Sequence, residues 1–224
     1  WWDWSTAGRK DKHGKPLVIK DADGYDTYHY KKGDFHWAEN VVPEYRWFNG
    51  DIRYTTIGEK IDDRHVVPIN RIDGDSEDTD ARIWPFKIMR GKQPYDTQLK
   101  VLAIPHLFGK DRDAYWKNFQ WDRAIKAGLA ATGQTFSGHY GFVETEYYWP
   151  VTHMVAPKEQ ALACQDCHSR DGRLADLETG YMPGRDYSSW LDTLGWLLVF
   201  GTLGGVLAHG LARIISALLR RKTS

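Results

Sequence analysis

The sequence predicts a mixed, loop-rich fold in three parts: short strands at residues 35–100, an α-helical part at residues 115–185, and one C-terminal transmembrane helix. Three observations lead to this prediction. In the first part, short aromatic and β-branched runs alternate with turn residues. From residue 115 onward, apolar residues recur at helical spacing. The final run, Leu194–Leu219, is apolar apart from a few small polar residues, and its ionisable residues are limited to His209 and Arg213.

The first part, residues 1–110, is expected to form loops and short strands that wrap a surface. Asn49-Gly50 lies between the strand-like runs Tyr45–Phe48 and Ile52–Ile57. Because Asn-Gly favours the tight turn that joins adjacent strands, this pattern predicts a β-hairpin. Residues 83–92 are expected to be extended or to form turns. Prolines exclude a long helix from this part and stand at positions 85, 94 and 105.

The helical part begins with a predicted helix over Tyr115–Ala131. Its apolar residues fall near one face, namely Trp116, Phe119, Ile125 and Leu129. Glu144–Trp149 is predicted to continue as a short helix, and Pro150 constrains its end. Good helix formers from Lys158 on lead towards Cys164, and Leu174–Gly184 ends the segment in a turn.

Residues 164–168 read Cys-Gln-Asp-Cys-His, which is the C-x-x-C-H pattern that attaches a c-type haem covalently. Cys164 and Cys167 can each bond one vinyl group of the porphyrin as a thioether. The adjacent His168 can then bind the iron as its proximal ligand. The sequence therefore predicts that residues 111–189 are a helical haem c-binding region.

Two other kinds of site use the same cysteine spacing. A redox-active dithiol does not require a histidine directly after the second cysteine. A four-ligand zinc site needs a second pair of ligands. Cys164 and Cys167 are the two cysteines of the whole sequence, so the motif accounts for every thiol.

Haem c attachment implies export, because it takes place outside the cytoplasm. The sequence opens with Trp1-Trp2-Asp3-Trp4 and has no initiating Met there. We therefore expect that a leader has been removed or that a longer upstream part is missing.

Further residues are candidates for the distal position on this haem or for ligating other haems. They are His29, His36, His65, His106, His139, His153 and Met182. His153 is preferred, because it precedes the motif in an aromatic, weakly charged stretch, and its iron need not be that of the Cys164 haem. Met182 is the rival, since a Met after the motif can be the distal ligand of a mono-haem cytochrome. For each histidine, and for His13, the alternative is a hydrogen-bonded residue that binds no iron.

The tail, residues 190–224, is predicted to be a transmembrane helix with a basic end. Leu194–Leu219 is long enough to cross the roughly 30 Å apolar layer of a bilayer. Arg220, Arg221 and Lys222 follow, and positive charge marks the cytoplasmic side. This places the preceding residues on the outer face of the membrane. The alternatives are a buried core helix or a helix lying in the membrane plane.

His209 and Arg213 lie one turn apart within this predicted helix. Ionisable groups inside a membrane are rare and indicate function by default. They could hydrogen-bond a quinone or approach a b-type haem in a partner. The alternative is that His209 lies near the inner interface with Arg213 extended towards it.

Lysine plus arginine number 30 and the acids number 30, so the formal net charge is zero. Nucleic-acid-binding domains carry a strongly basic face. The balance therefore argues against a nucleic-acid partner.

Several unusual runs resemble the C-terminal part of octahaem c-type cytochromes of the tetrathionate reductase family. The likeness covers most of residues 35–187, and the tail resembles that of anchored members. The runs are VVPEYRWFNG at 41–50, IWPFK at 83–87, MRGKQPYD at 89–96, GFVETE at 141–146 and WPVTHMVAPK at 149–158, followed by the haem motif.

The resemblance implies a multihaem oxidoreductase on the outer face of the cytoplasmic membrane. In this family, one haem with a lysine ligand and an open face reduces sulfur or nitrogen oxyanions. That lysine matches no residue of this sequence, and one C-x-x-C-H motif is present instead of eight. The catalytic haem and further haems c are therefore expected in an upstream segment or a partner chain.

Three functions follow from these patterns. The first is the haem-bearing, membrane-anchoring part of a redox enzyme, between a quinol or cytochrome b partner and a multihaem active site. The second is a non-catalytic, tethered electron-transfer cytochrome. The third is a docking subunit whose tail recruits a cytochrome b.

Overall fold

The computed structural model describes residues 1–152, 156–178 and 180–222. Its contacts divide the chain into two compact units, Trp1–Gln160 and Ala161–Ser224. The strands of the described part are β1 (Trp2–Asp3), β2 (Val18–Lys20), β3 (Asp26–His29), β4 (Gly33–Phe35), β5 (Glu44–Phe48), β6 (Ile52–Tyr54), β7 (Val67–Pro68), β8 (Asn70–Ile72), β9 (Arg82–Asp96), β10 (Val101–Leu102) and β11 (Tyr140–Pro150). Its α-helices are α1 (Tyr115–Asn118), α2 (Trp121–Ala131), α3 (Cys164–Cys167) and α4 (Ser189–Lys222), and short 3₁₀ turns lie at Trp4–Thr6 and Lys158–Gln160. The prediction of a mixed fold of strands and helices is confirmed, although β9 and β11 are long, with 15 and 11 residues.

The first unit is built on the antiparallel pair β9 and β11. Tyr140 pairs with Asp96 at one end and Pro150 with Phe86 at the other. The main sheet runs in the order β2-β3-β4-β1-β9-β11-β7, and β5 and β10 also pair with β9. A smaller sheet pairs β6 with β8. The expectation of extended structure at residues 83–92 is thus confirmed.

The predicted short helix at Glu144–Trp149 is wrong, because these residues form part of β11. Val143 and Thr145 are buried while Glu144 is exposed, which is the two-residue alternation of a strand. The hydroxyl of Thr145 also donates to the carbonyl oxygen of Gly91 across the pair, at 3.1 Å. The long partner β9 therefore decides the structure of this stretch.

The predicted hairpin at Asn49-Gly50 does not form. A turn is present, with Gly50 at φ +106° and the Asn49 side chain accepting from the Asp51 backbone N–H at 3.0 Å. However, β5 before the turn pairs with β9, and β6 after it pairs with β8. The turn redirects the chain from one sheet to the other, because each strand finds a partner that is distant in sequence.

The helix predicted over Tyr115–Ala131 is two helices, α1 and α2. Phe119 separates them in a left-handed conformation, with φ +57°. Ile125 and Leu129, which the pattern placed on one face, are buried in the core with Tyr115, and Phe119 packs against that core. The amphipathic pattern is confirmed. The break between the two helices depends on the backbone conformation of Phe119, which the spacing of apolar residues does not predict.

The sequence predicts an α-helical haem-binding part at residues 115–185. Within the described part of 161–188, α3 is the α-helix and it has four residues. The remainder forms turns around Gly172, Pro183 and Gly184. Glycine and proline at these positions prevent a longer helix.

The C-terminal helix α4 is confirmed as an apolar helix. Over Ser189–Arg220 its mean hydropathy reaches 1.6, and the apolar stretch is fully exposed in the structure. By length and composition it is able to cross a membrane.

Asp96, at the end of β9, is expected to make the first unit sensitive to acid. Its carboxylate is fully buried and accepts hydrogen bonds from the backbone of Leu99 and from both N–H and hydroxyl of Ser137, at 2.7 to 2.8 Å. Burial acts to raise the pKa of Asp96, but these hydrogen bonds outweigh it and the pKa lies below its ordinary value. The unfolded chain therefore binds this proton more readily, so the stabilisation holds above the ordinary carboxyl pKa and is lost as the pH falls through the lowered value.

We expect Asp96→Asn to lower the free energy of unfolding at pH 7 by roughly 2 kcal/mol. The variant should also lose less stability than the unchanged chain as the pH falls below about 4, the ordinary pKa of an aspartate. Urea unfolding followed by tryptophan fluorescence measures both quantities. The exposed Asp23→Asn is the control, which should match the unchanged chain. Equal acid sensitivity of the Asp96 variant and the unchanged chain would contradict the prediction.

Candidate functional site

The C-x-x-C-H residues are brought to one place by α3. Cys164 and Cys167 are the ends of this helix, so a three-residue spacing puts both thiols on one side. His168 follows directly, and its backbone N–H donates to the carbonyl oxygen of Cys164 at 2.8 Å. The Asp166 carboxylate accepts from the Ala163 backbone N–H at 2.7 Å and so caps the start of the helix. Both thiols are free, with Cys164 exposed and Cys167 partly buried.

An open depression of about 400 Å³ lies at this helix. Cys164, Gln165 and His168 line it from α3, and Pro183 and Gly184 line it from the later turn. Two free thiols and an exposed imidazole on one open surface are the donor set that haem c requires. The residues present therefore fit a covalently bound haem. Among the residues that the structure describes, no group of three or more His, Cys, Asp or Glu side chains is arranged to hold a metal ion by itself.

The turn that completes the depression is held by one ion pair. The Arg185 guanidinium lies 2.7 Å from the Asp186 carboxylate and also donates to the carbonyl oxygens of Leu177 and Gly180, at 2.8 and 3.2 Å. Asp186 accepts from the Met182 backbone N–H at 2.8 Å. The hydrogen bond from Arg185 and that from Met182 lower the pKa of Asp186 to about 2. The carboxylate thus stays charged at neutral pH and keeps the turn closed.

Met182 itself is buried in the second unit, as are Leu174 and Leu177. It is separate from the residues that line the depression. The structure thus places the side chain in the small apolar interior of the haem segment.

Several candidate histidines are engaged with neighbouring groups. His106 Nε2 lies 2.9 Å from the Asp111 carboxylate, which lowers the pKa of that carboxyl to about 2. His65 Nδ1 lies 3.1 Å from the Asp62 carboxylate on an exposed turn. His29 accepts from the Lys31 backbone N–H through Nδ1, and burial lowers its pKa.

The remaining candidates lie on the surface or outside the described part. His13, His36 and His139 are exposed. His209 and Arg213 are exposed on α4. His153, the preferred second ligand, lies outside the described residues. The described histidines of the first unit lie on different turns and strands: His29 is on β3, for example, and His65 is in the loop before β7.

Sequence reasoning missed Gln165, Pro183 and Gly184 as parts of the site. The Met182-Pro183-Gly184 run does signal a turn. It carries no signal that the turn lies against His168, because that contact joins segments that are separated in sequence.

Two comparisons with known proteins give a match. The family model described as "Cytochrome c bacterial" matches residues 1–171, which include the C-x-x-C-H motif. A solved structure, the octaheme cytochrome c from Shewanella oneidensis, is similar with a TM-score of 0.70 and 40% sequence identity. The match covers 79% of this chain and 40% of that chain, so this chain spans about two fifths of the solved protein's length. No curated protein gives a significant match.

Proposed function

Because the chain belongs to the bacterial cytochrome c family, we propose that it is the membrane-anchored, haem c-bearing portion of a multihaem oxidoreductase. A covalently bound haem c follows from the family. The observation that carries the proposal is that the Cys164 thiol and His168 line one open depression, with the second free thiol, Cys167, at the other end of the same short helix.

Each residue of the motif has a distinct part in holding the cofactor. Cys164 and Cys167 would hold the haem as thioethers, and His168 would bind its iron. The bound haem supplies one-electron transfer through its iron. The Asp166 cap and the His168 N–H bond to Cys164 keep the three groups on one helical turn, which orients them before the haem is attached.

A further iron ligand would be His153, on this haem or on a neighbouring one, with Met182, His65, His106 and His139 as rivals. His153 lies close to the motif in sequence. His65 and His106 already contact carboxylates, and either would have to leave its partner or ligate through its other ring nitrogen. Met182 would have to leave the interior of the second unit.

Further haems belong to another segment of a longer protein or to a partner chain. The sequence has one C-x-x-C-H motif, whereas the similar solved protein is an octaheme cytochrome and is covered over 40% of its length. The first unit exposes large aromatic side chains, which soluble monomers usually bury or cover with a partner. Trp37, Phe108 and Trp149 are 66%, 79% and 48% exposed, and this supports an assembly in which another segment or chain covers them. The catalytic haem, which reduces or oxidises sulfur or nitrogen compounds, lies in that other part.

The helix α4 anchors this portion to the cytoplasmic membrane, with the haem segment outside and the basic end in the cytoplasm. Its hydropathy and full exposure support this placement. His209 and Arg213 would then lie within reach of a quinol or of a membrane cytochrome b, which passes electrons to the haem.

A second function, a tethered electron carrier without catalytic activity, is favoured by the single motif. Counting haems separates the two. The full chain with an affinity tag is purified from its native host in detergent, and haem is measured as the pyridine haemochrome per copy of the chain. We expect more than one haem per copy, with further C-x-x-C-H polypeptide identified by mass spectrometry. The alternative result is a stable preparation with one haem per copy that exchanges electrons but reduces no sulfur or nitrogen oxyanion. This result would overturn the proposal that the chain is part of an oxidoreductase.

A further inference from the structure

We propose that Gly184 is a positioning residue that fixes the backbone of His168, and thereby the orientation of its imidazole relative to the two thiols. We further propose that the Arg185–Asp186 ion pair holds Gly184 in this place. The inference rests on the proposed function, because it takes His168 as the proximal haem ligand.

The first observation is the close approach of two backbones. Gly184 has φ +85°, a conformation that favours glycine. A Cβ at this position would collide with the carbonyl oxygen of His168 and would lie 2.8 Å from its carbonyl carbon. The Gly184 backbone therefore lies directly against His168, at a distance that no other residue type permits.

The second observation is the position of His168 at the end of α3. Its N–H is the last in this helix to donate to a helical carbonyl, that of Cys164, and its own φ and ψ of −97° and 58° are not helical. Beyond this bond, the short helix no longer dictates the backbone of His168. Any rotation of that backbone also turns the Cα–Cβ bond that carries the imidazole. The contact with Gly184 limits this rotation.

The third observation is how firmly the turn with Gly184 is held. Arg185 is 14% exposed in its side chain although it is a cation, and it contacts Asp186 and the carbonyl oxygens of Leu177 and Gly180. Asp186 in turn accepts from the Met182 N–H and donates its own N–H to the Met182 carbonyl oxygen at 3.0 Å. These bonds fix the residues on both sides of Gly184.

The experiment compares two glycine-to-alanine substitutions in the full chain. Gly184→Ala pushes a methyl group against His168, whereas a Cβ at Gly180 meets open space. Gly180→Ala is therefore the matched control in the same segment. The readouts are covalent haem after acid-acetone extraction, the ferric electron paramagnetic resonance g-values of this haem, and its reduction potential.

We expect all three proteins to keep their covalent haem, because both cysteines are retained. Gly184→Ala should shift the g-values and the reduction potential, and Gly180→Ala should match the unchanged chain. If Gly184→Ala had the same g-values and reduction potential as Gly180→Ala and the unchanged chain, Gly184 would have no positioning role. Absence of covalent haem in the unchanged chain would instead overturn the proposed function.

A second pair of variants covers the case in which Gly184→Ala does not accumulate. Arg185→Gln removes the charge that closes the turn, and Arg185→Lys keeps it while losing the forked hydrogen bonds. We expect the g-values to shift in Arg185→Gln and to return partly towards those of the unchanged chain in Arg185→Lys. Unshifted g-values in Arg185→Gln would overturn the role of the ion pair.

Discussion

Replacing both Cys164 and Cys167 with serine is expected to remove covalent haem almost completely from the 224-residue chain, which has this one C-x-x-C-H motif. Serine has nearly the same size, but its hydroxyl does not form the thioether that a cysteine thiol forms with a porphyrin vinyl group. The two residues end one short helix and neither is buried, so the substitution leaves the core intact. The measurement is Soret absorbance retained by the polypeptide after acid-acetone extraction, with circular dichroism as the check on folding.

Gln165→Ala is the control for this prediction. Gln165 lines the same depression, between the two cysteines, yet it has no thiol. This variant should keep its full complement of extraction-resistant haem. If the double serine variant retained as much extraction-resistant haem as Gln165→Ala, the attachment site would lie elsewhere. Free thiols and no Soret band in the unchanged chain would favour the redox dithiol.

The haem attachment residues could be predicted from the sequence because all of them are local. Cys164, Cys167 and His168 lie within five consecutive positions, and one turn of helix is enough to bring them together. Pro183 and Gly184 could not be predicted, because their place at His168 follows from a left-handed backbone and from the contacts of Arg185. Such contacts have no periodic signal in the sequence.

The same distinction explains which parts of the fold were predicted correctly. Ile125 and Leu129 recur at helical spacing, and they are buried as that pattern requires. The Asn49-Gly50 turn is also real, but local turn chemistry does not choose the partner of each strand. β9 is a long strand that pairs with both β5 and β11, and this long-range pairing overrides both the predicted hairpin and the predicted helix at Glu144–Trp149.

Placing lysine at both Leu203 and Leu207 is expected to release the full chain from the membrane. The two residues lie one turn apart near the middle of α4 and are 52% and 64% exposed. A lysine at the centre of a membrane-spanning helix costs about 2.5–3.5 kcal/mol, so two of them cost roughly 5–7 kcal/mol if their effects add. The measurement is the fraction of the protein that stays in the membrane pellet after an alkaline carbonate wash.

Leu203→Ile with Leu207→Ile is the matched control, because it changes the shape of the same two side chains and keeps them apolar. We expect the control to remain in the pellet and the lysine variant to appear in the soluble fraction or to be degraded. Retention of the lysine variant in the pellet at the level of the control would contradict a spanning helix. It would favour attachment through a partner protein, since a helix held by protein contacts outside the bilayer does not bring its lysines into the apolar layer. In the spanning arrangement, His209 would lie within the apolar layer, where the proposed contact with a quinol requires it. If the chain were attached through a partner protein instead, His209 would not need to lie in the bilayer, and the argument for its contact with a quinol would no longer hold. The argument for the haem site would not change.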